Sequence, residues 1–290
     1  MSESWFELSL ADQSEALEVA AARSGRPAHL LEKDIWVVWA LSAIYASSLG
    51  DTLTFKGGTS LSKAYKVIDR FSEDIDLTYD IRELVPDLLR DGNPIPTSAS
   101  QEKKVTSAVR SRLPQWIEQT VRPVIEQALV ASGLQAELVL AGKASDKLII
   151  SYPAFKNGTG YAAAAIQLEF GARSTGEPHQ RHHVVCDIAP FIDGVSFPTA
   201  QPLVMAAQRT FWEKATAATS TAYKVVCVGI AIHAIGMISP LYPKQHTSIQ
   251  RPAITSWRGR WLNTNPCFLL RKMSTVARSI IFRRSRGLFG

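Results

Sequence analysis

Apolar residues along this chain repeat with two different periods. Residues 5–24 and 28–48 carry the three-to-four spacing of helices, and the second puts Ile35, Val38, Trp39 and Ser42 on one face. Leu53–Lys56 predicts a short strand and 60–69 a helix. Ile75–Tyr79 predicts a second strand, in which Ile75 and Leu77 alternate with acids. The stretch 86–104 is polar and Pro-bearing, the pattern of a mobile insertion. A long helical pattern over 105–132 comes next, then four strand-like runs: Ala136–Leu140, Lys147–Tyr152, Ala164–Phe170 and His183–Ile188. Pro202 opens a last predicted helix, Leu203–Ala217. No repeat is apparent, and the sum predicts an α+β chain.

At 290 residues the chain is long enough for one large or two small domains with a real core. Its first two dozen residues form an amphipathic helical pattern with acids on the polar face, unlike a secretion signal. The longest apolar run, Val225–Ile238, is fourteen residues and contains His233, which is too short to span a bilayer. The three cysteines, Cys186, Cys227 and Cys267, lack metal-ligand spacing, as expected of a reducing cytoplasm.

Candidate chemistry concentrates in FKGGTSLSK (Phe55–Lys63) and SEDIDL (from Ser72). A strand ending in two glycines and a Thr-Ser pair offers backbone N–H groups to a phosphate. Asp74 and Asp76, two residues apart on a strand, point to the same side and repel unless a cation lies between them. A hard, oxygen-liganded ion such as Mg²⁺ suits that pair. Alone, a Gly-Gly pair is usually a turn and an Asp-x-Asp a solvated strand end. Here they occur in order, with room for one helix between Gly58 and Asp74, and together they point to metal-assisted phosphoryl or nucleotidyl transfer.

The run KGGTSLSKAYKVIDRFSEDIDL resembles the signature of the AbiEii/AbiGii-type nucleotidyltransferase toxins, within the DNA polymerase β-like superfamily. A sparser resemblance extends from about Leu30 to Ala217. It implies a mixed-sheet nucleotidyltransferase core with flanking helices and a C-terminal helical lobe. The domains implied are N-terminal helices over 1–50, the core over 51–200 and the start of that lobe over 201–218. Residue by residue, the resemblance assigns Gly57, Gly58, Thr59 and Ser60 to a nucleotide triphosphate, and Asp74 and Asp76 to Mg²⁺. Lys63 is positioned to turn a cation toward a phosphate, or to be an ordinary helix lysine. Lys214, in RTFWEK, corresponds to a family site residue that reaches the triphosphate, although a helix lysine is usually just solvated.

The resemblance also implies a third carboxylate on a strand beside the Asp-x-Asp pair, to hold metal or take a proton, and Glu169, in AIQLEF, is the candidate; pairing with Arg173 or another arginine is the alternative. Arg173 suits a phosphate or an RNA backbone, or that same salt bridge. The Glu32-Lys33-Asp34 triplet also resembles the family pattern and reads mainly as a structural contact. His182 and His183 have no partner at useful spacing, so no metal is expected there.

Charge divides the chain. Residues 1–223 hold 21 basic and all 26 acidic residues, a balance of −5, whereas 224–290 hold 11 basic and no acidic residues. A nucleic-acid arm is one reading, but this segment is rich in Ile, Trp and Pro without a period. A changed reading frame explains it better. The resemblance calls for a segment close to Arg-His-Tyr-Tyr-Asp-Leu beyond the Lys214 helix. Back-translating Ile232–Ser239 (IHAIGMIS) and reading one nucleotide earlier gives SRHWYDL for one choice of synonymous codons. The Asp is forced by the single Met codon. On this reading 219–290 is a poorly packed tail, and the Arg and Asp that complete the nucleotide site from the C-terminal lobe are missing.

The resemblance therefore implies a cytoplasmic toxin of a toxin–antitoxin or abortive-infection (phage defence) system, acting without a membrane. It would transfer a nucleoside monophosphate from an NTP to an RNA acceptor such as the 3′ end of tRNA, with a DNA-binding antitoxin encoded nearby. Two rivals stand beside it: a catalytically inactive NTP- or antitoxin-binding protein, and a phosphotransferase using the same site.

Overall fold

A computed structural model describes residues 2–69, 74–154 and 164–216. In chain order the strands are β1 (Glu3–Ser4), β2 (Leu53–Lys56), β3 (Asp74–Asp80), β4 (Glu137–Ala141), β5 (Lys147–Ser151), β6 (Ala165–Ser174), β7 (His179–Arg181), β8 (Val184–Val185), β9 (Val195–Ser196), β10 (Thr199–Ala200) and β11 (Leu203–Met205). The α-helices among the described residues are α1 (Leu10–Ser24), α2 (Ala28–Tyr45), α3 (Gly57–Lys63), α4 (Ile81–Leu84), α5 (Ala99–Trp116) and α6 (Arg122–Ala131), with a further helix, α7, over 207–216. Among the described residues a seven-stranded mixed sheet, ordered β4-β5-β6-β3-β2-β11-β7, forms the spine. The α+β class expected from the pattern is the class observed.

Alternation builds the two faces of that sheet. Leu53, Phe55, Ile75, Leu77, Leu148, Ile150, Ile166 and Leu168 are buried on one face, whose strands leave Lys56, Asp74, Asp76, Gln167 and Glu169 on the other. The long helices supply the rest of the core. In α2, Leu31, Ile35, Val38, Leu41 and Ile44 are fully enclosed, and the helix packs on α1, α6 and β6. The second long helical pattern is continuous from α5 to α6 through a π-helical turn, Ile117–Val121, which keeps Ile117, Val121 and Ile125 in the core. It starts at Ala99, where the Ser98 hydroxyl accepts from the Gln101 N–H at 3.2 Å, earlier than the polarity of the preceding stretch predicts.

One prediction is corrected here. Leu203–Met205, expected as the first turn of a helix, is strand β11, parallel to β2, with Val204 opposite Phe55. Both residues are completely buried, so sheet pairing overrides the helical reading of a three-residue apolar run too short to show a period. Helix α7 begins only after Ala206. The apolar run Val225–Ile238 and the whole segment 219–290 lie outside the described residues.

Candidate active site

The site grows from the junction of β2 with α3. Gly57 has φ +83, a left-handed conformation that L-residues rarely adopt, and a Cβ there would stand 1.8 Å from Asp76 Oδ2. Only glycine admits the Asp76 carboxylate so close to the turn. Two hydroxyls fix the first turn of α3: Thr59 donates to the Asp74 carbonyl oxygen and Ser60 donates to the Gly57 carbonyl at 3.0 Å. Gly57, Gly58, Thr59 and Ser60 are all buried, and the turn lies against the acid-bearing strand.

Sheet register gathers the acids. β3 and β6 are parallel, with Asp74 opposite Gln167 and Asp76 opposite Glu169; on the other side Lys56 is opposite Asp76. Gln167 Nε2 donates to Asp74 Oδ1 at 2.9 Å. Glu169 pairs with Lys147 of β5 at 2.9 Å, not with Arg173, which is exposed at the far end of β6. Burial, reinforced by the Glu169 carboxylate, pushes the Asp76 carboxyl above the usual aspartate range; Lys56 and Lys214 oppose the shift and Asp74 adds to it. The Lys147 ammonium is held above the usual lysine range, chiefly by its hydrogen bond to Glu169.

Lys214 thus acts on Asp76 across 138 positions of sequence. Its helix is tied to the sheet by its neighbour: Glu213 accepts from Lys56 at 3.1 Å and from Arg209 at 3.3 Å. Lys63 belongs elsewhere. Its ammonium is enclosed between Asp34 of α2 at 2.6 Å and Asp187 at 2.7 Å. Burial works against that charge, but the two carboxylates together hold it above the usual lysine range. It is neither turned toward the acid pair nor solvated, and neither sequence-based option for Lys63 describes it. Asp34 also accepts from the Asp187 backbone N–H at 2.6 Å, so the triplet containing it does make a structural contact.

Sequence reasoning missed Lys56, Lys147, Gln167 and Glu213. Lys56 stands in plain view before the glycines. The other three carry no local signal, because only register and helix docking bring them to Asp74, Asp76 and Glu169.

A mixed sheet bearing a glycine turn, an Asp-x-Asp strand and a neighbouring carboxylate strand has the layout of a nucleotidyltransferase. The family model for the nucleotidyl transferase AbiEii toxin of type IV toxin–antitoxin systems matches residues 39–224, and the chain belongs to that family. By family it is a nucleotidyltransferase. Among solved structures it is similar to MenT4, a nucleotidyltransferase toxin from Mycobacterium tuberculosis H37Rv, with 15% identity and a TM-score of 0.40. That match covers 71% of this chain and 57% of the length of MenT4. A search of curated proteins found no match. No helix among the described residues is long and apolar enough to cross a membrane.

Proposed function

We propose that this chain is a cytoplasmic nucleotidyltransferase toxin component that moves a nucleoside monophosphate from an NTP to the 3′ end of an RNA such as tRNA. The observation that carries this reading is the meeting, at Asp76, of the Gly57 turn, the Asp74 and Glu169 carboxylates and Lys214. Family membership supplies the reaction class and implies an antitoxin partner, which we take to be a separate DNA-binding protein.

The donor set suits a hard divalent cation. Among the described residues no group of three ligand side chains is already gathered as a metal cage. Asp74 and Asp76 nevertheless supply two carboxylates, the number Mg²⁺ commonly takes from protein when substrate phosphates and water provide the rest. Such an ion, when bound, neutralises charge on the transferring phosphoryl group. The chain's own residues do the remainder. The buried turn at Gly57–Ser60 orients the triphosphate with the pyrophosphate leaving group toward it, and Lys214 balances its charge. Glu169 accepts the proton of the attacking RNA hydroxyl once Lys147 yields it. That hydroxyl attacks the α-phosphorus in line, and the bond to the leaving pyrophosphate oxygen breaks.

A second reading has its own support: an impaired or inactive binder of NTP or antitoxin. No acidic residue follows Glu213 and the family match ends at residue 224, both consistent with a changed frame and a missing Arg and Asp. One assay separates the readings. The full chain is incubated with each α-labelled and γ-labelled NTP, Mg²⁺ and total tRNA. α-Label on tRNA supports the transferase and γ-label on protein supports a phosphotransferase. No label, with NTP binding retained, supports the inactive binder.

A further inference from the structure

Lys56 takes no part in the proposed transfer, yet its position is informative. It is the last residue of β2, immediately before the glycine turn, and opposite Asp76 in the sheet. Its charge opposes the rise in the Asp76 pKa, as that of Lys214 does. Its ammonium, however, is occupied by Glu213 at 3.1 Å, the residue beside Lys214 on α7, and Glu213 is also gripped by Arg209 at 3.3 Å. The side chains are 29% and 37% exposed, so the pair sits within reach of solvent rather than deep in the core.

We infer that Lys56 is a further triphosphate-binding residue and that Glu213 is a latch carboxylate which the triphosphate displaces; this rests on the nucleotidyltransferase reading. A partly exposed ion pair between two flexible side chains is weak and exchanges readily. A triphosphate brings several negative charges, and oxygens that Lys56 can serve at least as well as one carboxylate does. The turn next to Lys56 is where that reading puts the phosphates. Releasing Glu213 from Lys56 leaves it to Arg209, one helical turn away, so the carboxylate retains a partner. Lys214, on the same helix, is freed to follow the phosphates. Binding of the nucleotide and adjustment of α7 are thereby coupled through a single change of partner.

The test is a double-mutant cycle on the full chain, read by calorimetric binding of inorganic tripolyphosphate and of each NTP with Mg²⁺. Glu213→Gln is expected to tighten binding by about three- to tenfold, and Lys56→Met to weaken it by about tenfold. The diagnostic result is that Glu213→Gln gives no gain when Lys56 is already Met. Lys56→Arg is expected to retain most of the affinity. Glu126→Gln, which removes an exposed acid paired with Arg122, controls for net charge and is expected to change nothing. Circular dichroism of each variant checks that α7 and the fold persist. Equal tightening by Glu213→Gln in both backgrounds reduces Glu213 to simple repulsion and overturns the latch. Binding by the wild type that is indifferent to Lys56 overturns the inference alone. Absence of any phosphate or NTP binding by the wild type overturns the parent reading as well.

Discussion

At Gly57 a backbone angle and a side-chain contact impose the same requirement. Gly57→Ala places a methyl group where Asp76 Oδ2 lies and forces a left-handed alanine. We expect a loss of about 1–3 kcal/mol in urea unfolding, and a larger proportional loss of NTP affinity as the carboxylate is pushed aside. Asp76→Asn should separate stability from function. The Asp76 carboxyl is raised above its unfolded value of 3.8, so folding favours the protonated form, and stability is lost as pH rises from 3.8 through the folded pKa. Near neutral pH the ionised carboxylate is therefore a liability, and in metal-free buffer the Asn variant is expected to melt higher than the parent. It should also lose the stabilisation by Mg²⁺ and NTP, and any transferase activity should fall by at least about a hundredfold. A lower melting temperature for Asp76→Asn would count against the electrostatics described here.

At the scale of elements, α3 is only seven residues long and is held at both ends by tertiary contacts. Its start is fixed by Thr59 and Ser60, and its end by the Lys63 ammonium between Asp34 and Asp187. Arg26 joins the same cluster through Asp187 and Asp69. Removing the cation strands a carboxylate that is 2% exposed, so Lys63→Met is expected to destabilise by about 3–5 kcal/mol. Adding Asp34→Asn should restore part of that loss, since the uncompensated charge is then gone; chemical denaturation of the single and double variants measures both. The Lys63 pKa is raised, so its contribution is complete below about pH 10.5 and is lost as pH climbs through the folded value. Alkaline unfolding curves should show the Lys63→Met variant losing less stability than the parent over that range.

For the whole molecule, the uneven distribution of charge is the governing fact. The chain holds no acidic residue beyond Glu213 and the family match stops at residue 224, and the proposed change of frame accounts for both observations. Sequencing the gene is the first check: a single-nucleotide change near codons 217–219 should open a frame encoding SRHWYDL. Expression of that restored chain is expected to label tRNA at least about a hundredfold faster than the chain as it stands, because an arginine and an aspartate return to the site. If the restored frame does not exist, the basic segment requires a function of its own, and salt-dependent RNA binding is the measurement to make.

Local features are legible in the chain alone. The glycine turn and the spacing of Asp74 and Asp76 depend on neighbours a few residues apart, and so does the alternation that buries Ile75 and Leu77. The resemblance carried by those same residues leads to the family. Legibility ends where contacts become long-range. Nothing local marks Lys147 as the partner of Glu169, Gln167 as the donor to Asp74, or Glu213 as the partner of Lys56. The place of Lys63 is hidden because its burial is decided by α2 and by Asp187, not by its own helix. Leu203–Met205 deceives for a similar reason: three apolar residues fit a helix or a strand equally well, and only pairing along the edge of β2 selects the strand. Sheet register and helix docking are set by packing across the whole core, so the charges they juxtapose exist as a site only in the folded chain.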